Sequence, residues 1–324
     1  MTQEQSASVV GDASVGARRS VRERVRAYKD LAKFVEFGAF LIVPTAWSLL
    51  PYDATSGRTV VILVLMLVAA VGIRTAESAL DDIAGIRDEI DVVNYADAGT
   101  LRARKRKPIL DGRLTERDAL RYTWSVLALA ATATTVAADV ADFKPLWAPA
   151  LVAAAAFVVV GYSWGPKLSY IPGGQEFVVT FGMTAMLCSV YALASGHLAT
   201  VVVLEGLLLG VWLMQPVTFA NVHDVDGDRR AGRHTMAVRL SPAAHRRYTS
   251  TLLLAGWVLL AVVISAGELP WWTALVLAPC IALQAVALAV SVRRRDPLLA
   301  RRTCHRAYRI GWLGLVVTNL IALH

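Results

Sequence analysis

Cysteine is scarce. The 324 residues hold three, Cys188, Cys280 and Cys304, with no paired spacing. That excludes a disulfide framework and a cysteine-ligated metal centre. Cys188 and Cys280 lie in apolar runs and Cys304 in a basic loop, so all three are expected as free thiols. No polar stretch is long enough for a sizeable second soluble domain. No apolar core or cleavage-like end marks Met1–Val15, so no signal peptide is expected there. Residues 1–30 read as a disordered, basic segment ahead of one domain over 31–324.

What the sequence has is apolar length. Hydrophobic residues make up 56% of the chain and its mean hydropathy is +0.51. Soluble domains sit near 45–50% apolar and lack apolar runs of about 20 residues. Nine runs qualify as membrane spans: 32–50, 59–80, 119–138, 146–163, 175–194, 198–219, 249–266, 271–291 and 306–322. Many are rich in small residues ("LALAATATTVAADVA"), which let helices approach closely in lipid. The fold class is therefore all-α, a polytopic membrane bundle of nine transmembrane helices.

Net charge is +8, but the basic clusters fall between apolar runs, where topology and anionic headgroups explain them without nucleic acid. Arg18, Arg19, Arg22, Arg24, Arg26 and Lys29 precede the first run; "RARKRK", "DGDRRAGRHT" and "RRRDPLLARR" follow the second, sixth and eighth. The intervening loops, around "YDATSGR", "DVADFK", "SGH" and "SAGELP", carry few Lys or Arg. The positive-inside rule puts the N-terminus and the long basic loops in the cytoplasm and the C-terminus outside, in what reads as a bacterial cell membrane.

Two acidic clusters end spans on that same side. The first is "RTAESALDDIAGIRDEIDVVN", with Asp81, Asp82, Asp88 and Asp91; the second is "ANVHDVDGDRRAGRHT", with Asp224, Asp226 and Asp228. Asp224 and Asp228 are spaced i, i+4 and share a helical face. Asp81, Asp88 and Asp91 also share a face if their helix continues. A lone acidic helix end reads as a solvated cap. Two on one side, each followed by a basic segment with glycine, read as a clamp. Mg²⁺ takes oxygen ligands and commonly uses one or two carboxylates plus substrate phosphates, so facing clusters suit a metal-bound diphosphate. Arg87, Lys107, Lys167 and Arg229 are candidate cations to complete it. Arg74 and Glu77, at i, i+3, read as an inward ion pair, and Trp164 beside Tyr162 as a contact for an isoprenoid or carbocation. Asp97, Asp111, Glu116 and Asp118 read as ordinary loop charges.

With these motifs in place, the chain resembles the UbiA superfamily of intramembrane prenyltransferases along nearly its whole length. "RKPILDGRLT" is similar to the family's basic-Pro-Leu-x-x-Gly segment, and Asp224 and Asp228 meet its Asp-x-x-x-Asp motif. The first motif departs from Asn-Asp-x-x-Asp-x-x-x-Asp. Asp81 and Asp82 stand first, Gly85 takes the next Asp position, Asp88 replaces the middle carboxylate, and Asp91 matches the last. This form resembles actinobacterial UbiA-like proteins.

The resemblance implies Mg²⁺-dependent transfer of an isoprenyl group from its diphosphate to a small aromatic or quinone-precursor acceptor. It implies metal ligands among Asp81, Asp82, Asp88, Asp91, Asp224 and Asp228. Asp88, Asp91 and Lys167 would act in catalysis, and Arg87, Lys107, Tyr162, Lys167, Asn221 and Arg229 in substrate binding. Two alternatives remain at this point: cyclisation of the isoprenyl diphosphate itself, and transport of an anionic substrate, the latter disfavoured because charges sit at one face and few spans are broken.

Overall fold

The computed structural model describes residues 20–33, 39–52, 55–95 and 106–323. Arg18, Arg19, Asp97 and most of the "RARKRK" run lie outside them. Among the described residues there are helices and no strands, and each of the nine apolar runs falls on helix. The expectation of disorder to residue 30 does not hold for its last third. Val21–Ala32 forms helix α1, opened by a capping box between Ser20 and Glu23. Ala27 and Leu31 of α1 are buried in one apolar cluster with Ala79, Leu80 and Ile83.

Boundaries shift where caps and proline overrule hydrophobicity. The first run yields only a short helix, α2 (Ile42–Ser48), within the described residues. The second, α3 (Gly57–Arg87), runs seven residues past its apolar stretch and carries the first acidic cluster out with it. It stops at Asp88, and Glu89 takes φ +57 before the short α4 (Ile90–Asn94). Asp91 therefore does not extend the α3 face; the left-handed residue turns it back instead. Helices α5 (Glu116–Val140), α6 (Trp147–Val160), α7 (Gly174–Ser195) and α8 (Thr200–Asn221) follow. After the short α9 (Val225–Arg230) and α10 (Met236–Arg239) comes α11 (Pro242–Ser265). The eighth run is split into α12 (Thr273–Val276) and α13 (Ala278–Ala289), with Pro279 in the first turn of α13, where its missing N–H is harmless. Last, α14 (Pro297–Leu323) absorbs the basic loop before its span, so Cys304 is buried in a helix rather than looped. Helices α3, α5, α7, α8 and α11 are each long and apolar enough to cross a membrane alone.

Small residues set the helix contacts. A Cβ on Gly72 of α3 would meet the Val126 carbonyl of α5 at 2.9 Å; on Gly206 and Gly210 of α8 it would meet the backbone of Thr184 and Thr180 on α7 at 2.8 Å. These close approaches hold α3 on α5 and α7 on α8, and leave the C-terminal ends of α3 and α8 at the same end of the bundle. There α4 packs on α9.

Candidate functional site

That shared end is where the charges collect. Asp82 and Asp91 are almost fully buried, and burial of a carboxylate is costly unless a cation meets it. Lys107 meets both: its Nζ lies 2.7 Å from Asp82 Oδ1 and 2.7 Å from Asp91 Oδ2. Lys33, just past α1 with φ +46, places its Nζ 2.7 Å from the same Asp82 oxygen. Burial alone would lower Lys107, but Asp82 and Asp91 outweigh it and raise its pKa well above the usual lysine value. The Asp91 carboxylate lies over Gly85: a Cβ there would stand 2.5 Å from Asp91 Oδ2. Where the resemblance implies a carboxylate at position 85, this chain lays one across from residue 91.

Asp81 faces a different set. Ser163 donates to its Oδ1 at 2.7 Å and Arg233 at 3.1 Å. Arg233 is buried, and its guanidinium sits 5.8 Å from the ring centres of Tyr162 and Tyr170. The chain returns Arg233 to the site through Gly232, at φ +76, and an Arg233 N–H bond to the Asp228 carbonyl of 2.8 Å. Asp228 is buried and accepts from Thr235 Oγ1 at 3.3 Å. Helix α8 has ended before the second motif, yet the i, i+4 relation survives, because Asp228 N–H bonds the Asp224 carbonyl at 2.8 Å. Asn94 Nδ2 donates to Asp224 Oδ1 at 3.4 Å, so the two motifs touch. Asp88 accepts from Tyr170 and, at 3.3 Å, from Lys167. A cavity of about 160 Å³ opens here, lined by Ala84, Arg87, Asp88, Ser163, Trp164, Gly165 and Lys167.

Not every expected residue arrives. Arg229 points outward and pairs with exposed Asp226 at 3.6 Å, away from the other charges. Arg87 stays at the rim, bonded to Glu116 and 5.0 Å over the Trp164 ring. Glu116, Asp111 and Asp118 have local partners: Arg87, Arg113 and the Thr115 cap. Arg74 and Glu77 do pair. Tyr162 and Asn221 are joined through Gln175, which donates to the Tyr162 hydroxyl at 3.1 Å and accepts from Asn221. Lys33, Asn94, Ser163, Tyr170, Gln175 and Arg233 had no signal of their own in the sequence.

Hard carboxylate oxygens are the donors Mg²⁺ takes, and Asp82 Oδ2 is buried with no hydrogen-bond partner among the described residues. Among the described residues no three acidic, His or Cys side chains converge closely enough to hold a metal alone. Such a set suits a cation that completes its shell with substrate phosphates. Burial, with Asp224 and Asp81 adding like charge, pushes Asp228 up to about 7 against the pull of Arg233. The unfolded chain releases that proton near the ordinary value of about 4. Between those pH values the folded state binds more protons, so stability falls as pH rises. With chelator present, the thermal midpoint is expected to drop from pH 5 to pH 8, and Asp228→Asn to flatten that dependence.

Residues 41–310 match the sequence model of the UbiA prenyltransferase family. A stretch of 200 residues is 30% identical to the 1,4-dihydroxy-2-naphthoate octaprenyltransferase of Escherichia coli (strain K12), covering 61% of each chain. The chain thus spans less than two thirds of that relative's length. Among solved structures, a UbiA homolog from Archaeoglobus fulgidus bound to GPP and Mg2+ is similar, with TM-score 0.65 and 14% identity over 92% of this chain and 99% of that one. The apo UbiA homolog from Aeropyrum pernix K1 gives 0.60 and 18% over 94% and 99%. At these identities the likeness is one of fold. The family match takes in both acidic motifs and the basic segment between them: the chain belongs to the UbiA prenyltransferase family.

Proposed function

We propose that this enzyme moves an isoprenyl group from its diphosphate to a small hydroxy-aromatic or quinone-precursor acceptor inside the membrane. The observation that carries the reading is the meeting of two acidic motifs, bridged by Asn94 and Asp224, with Lys33, Lys107, Lys167 and Arg233 among their carboxylates. The naphthoate octaprenyltransferase relative supports an aromatic acceptor, and the GPP and Mg2+ of the Archaeoglobus homolog support the donor and the metal.

Asp81, Asp224, Asp228 and the unpartnered oxygen of Asp82 are the residues that would hold Mg²⁺, with Asp88 beside them at the cavity. A Mg²⁺ held by these residues would supply positive charge against the departing diphosphate. Lys167 and Arg233 add fixed cations where that charge develops. Lys33 and Lys107 pair with Asp82, and Lys107 with Asp91, and hold these carboxylates in place. The apolar bundle beneath keeps water from the allylic cation until the ring captures it and loses a proton.

Purified protein incubated with isoprenyl diphosphates of several lengths should release diphosphate and form a prenylated ring only when 1,4-dihydroxy-2-naphthoate or another hydroxy-aromatic is present. Release without acceptor, with a cyclic hydrocarbon as product, would show a cyclase instead. The site end faces the cytoplasm in this reading, as the Lys/Arg distribution directs. Asp226 is exposed, so Asp226→Cys should react with an impermeant thiol reagent from the cytoplasmic side alone; labelling from the other side reverses the topology.

A further inference from the structure

Helix α4 is five residues long, yet it touches both acidic motifs. Asp91 and Asn94 are spaced i, i+3 on it and so lie on one face. Each side chain rests on a glycine from a different motif. Asp91 covers Gly85 of α3, where a Cβ would come within 2.5 Å of its Oδ2. Asn94 covers Gly227 of α9, where a Cβ would stand 2.4 Å from Oδ1 and 2.9 Å from both Cγ and Nδ2. The amide packs against Gly227 and its Nδ2 still reaches Asp224 Oδ1, at 3.4 Å. A carboxylate only accepts, which fixes which end of the amide faces Asp224.

We propose that α4 is a clasp that sets the spacing between the two acidic motifs, with Asn94 as the positioning residue for Asp224 and Gly85 and Gly227 as its seats. Asp91 anchors one end through Lys107, and Asn94 carries the position across to the second motif. A side chain at 85 or 227 would lift the clasp, and loss of the Asn94 amide would remove the contact that ties Asp224 to the first motif. The inference rests on the reading that both motifs serve one metal-bound diphosphate.

The test measures Mn²⁺ binding by electron paramagnetic resonance, with Mg²⁺ competition, on the full chain in detergent. Asn94→Ala is expected to weaken binding at least tenfold while the thermal midpoint stays near wild type, because outer-shell partners commonly contribute 10–100-fold to metal affinity. Gly227→Ala should weaken it too. The double variant should be no weaker than the worse single one, since the new methyl fills the space the amide vacates. Asn94→Ser, too short to reach Asp224, gives the same reading if Asn94→Ala does not fold. Asp224→Ala separates the two levels of the claim. Weakened Asp224→Ala with wild-type affinity in the Asn94 variants overturns the clasp. Wild-type affinity in Asp224→Ala overturns the metal reading itself. Additive losses in the double variant would show that Gly227 does not act through Asn94, and the seat would be wrong.

Discussion

Asp224→Ala and Asp228→Ala are each expected to lower kcat/KM by a hundredfold or more, with the protein still folded. The two carboxylates stand one turn apart, linked by the Asp228 N–H to Asp224 carbonyl bond of 2.8 Å. Asp81 lies close enough for its charge to bear on Asp228, as does that of Asp224. In the proposed reaction they hold the cation that takes up charge as the diphosphate leaves. Removing one contact aimed at developing charge typically costs about 10²–10³ in rate.

Folding should survive, for a separate physical reason. Asp228 is buried among like charges and holds its proton up to about 7, so it opposes folding when ionised. Taking it away relieves that opposition, and thermal midpoints in chelator should hold or rise at pH 8. Asp226→Ala is the internal control, because Asp226 is exposed and pairs with the outward-pointing Arg229. Its rate should stay near wild type. Wild-type turnover in folded Asp224→Ala and Asp228→Ala proteins would return both residues to the role of a solvated helix end.

Which parts of this were readable in the sequence follows from what kind of information each needs. Nine apolar runs are a one-dimensional signal, and all nine became helix within the described residues. Their ends were less legible. Leaving the apolar stretch does not stop a helix; α3 continues through "ESALDDIAGIR" until Asp88 and the left-handed Glu89 end it. The two acidic motifs could be found because carboxylates beside membrane-length runs are rare. Their partners could not. "DRRAGR" offers three arginines, and only the turn at Gly232 makes Arg233 the buried one and leaves Arg229 outside. Lys33 falls inside the first apolar run and belongs to no motif, yet packing of α1 on α3 delivers it to Asp82. Gly85 read as a gap in the motif. In three dimensions it is the space into which Asp91 folds, a fact that depends on a turn and not on spacing.

Lys107→Met should produce the largest loss of stability of any single change at this end of the molecule. Its ammonium is shared by two buried carboxylates, 2.7 Å from each. Lys33 remains to serve Asp82, whereas among the described residues the cation paired with Asp91 is Lys107. Removing one member of a buried pair typically costs about 3–5 kcal/mol, because the other charge is left uncompensated. Methionine keeps most of the stem's packing, so the loss reports charge more than volume. The pH dependence gives the signature. Burial already raises Asp91 despite Lys107, and without Lys107 its folded-state pKa rises further. The unfolded chain still releases that proton near about 4. Folding of the variant therefore binds a proton across a wider pH range than wild type, and its stability falls more steeply as pH rises from 5 to 8. Thermal unfolding followed by tryptophan fluorescence should show Lys107→Met nearest to wild type at pH 5 and furthest below it at pH 8. Adding Asp91→Asn, which removes the stranded charge, should recover much of the pH 8 loss. A deficit that is equal at both pH values, or unrelieved by Asp91→Asn, would mean that Lys107 acts through its packing and that the Asp82–Lys107–Asp91 bridge contributes little.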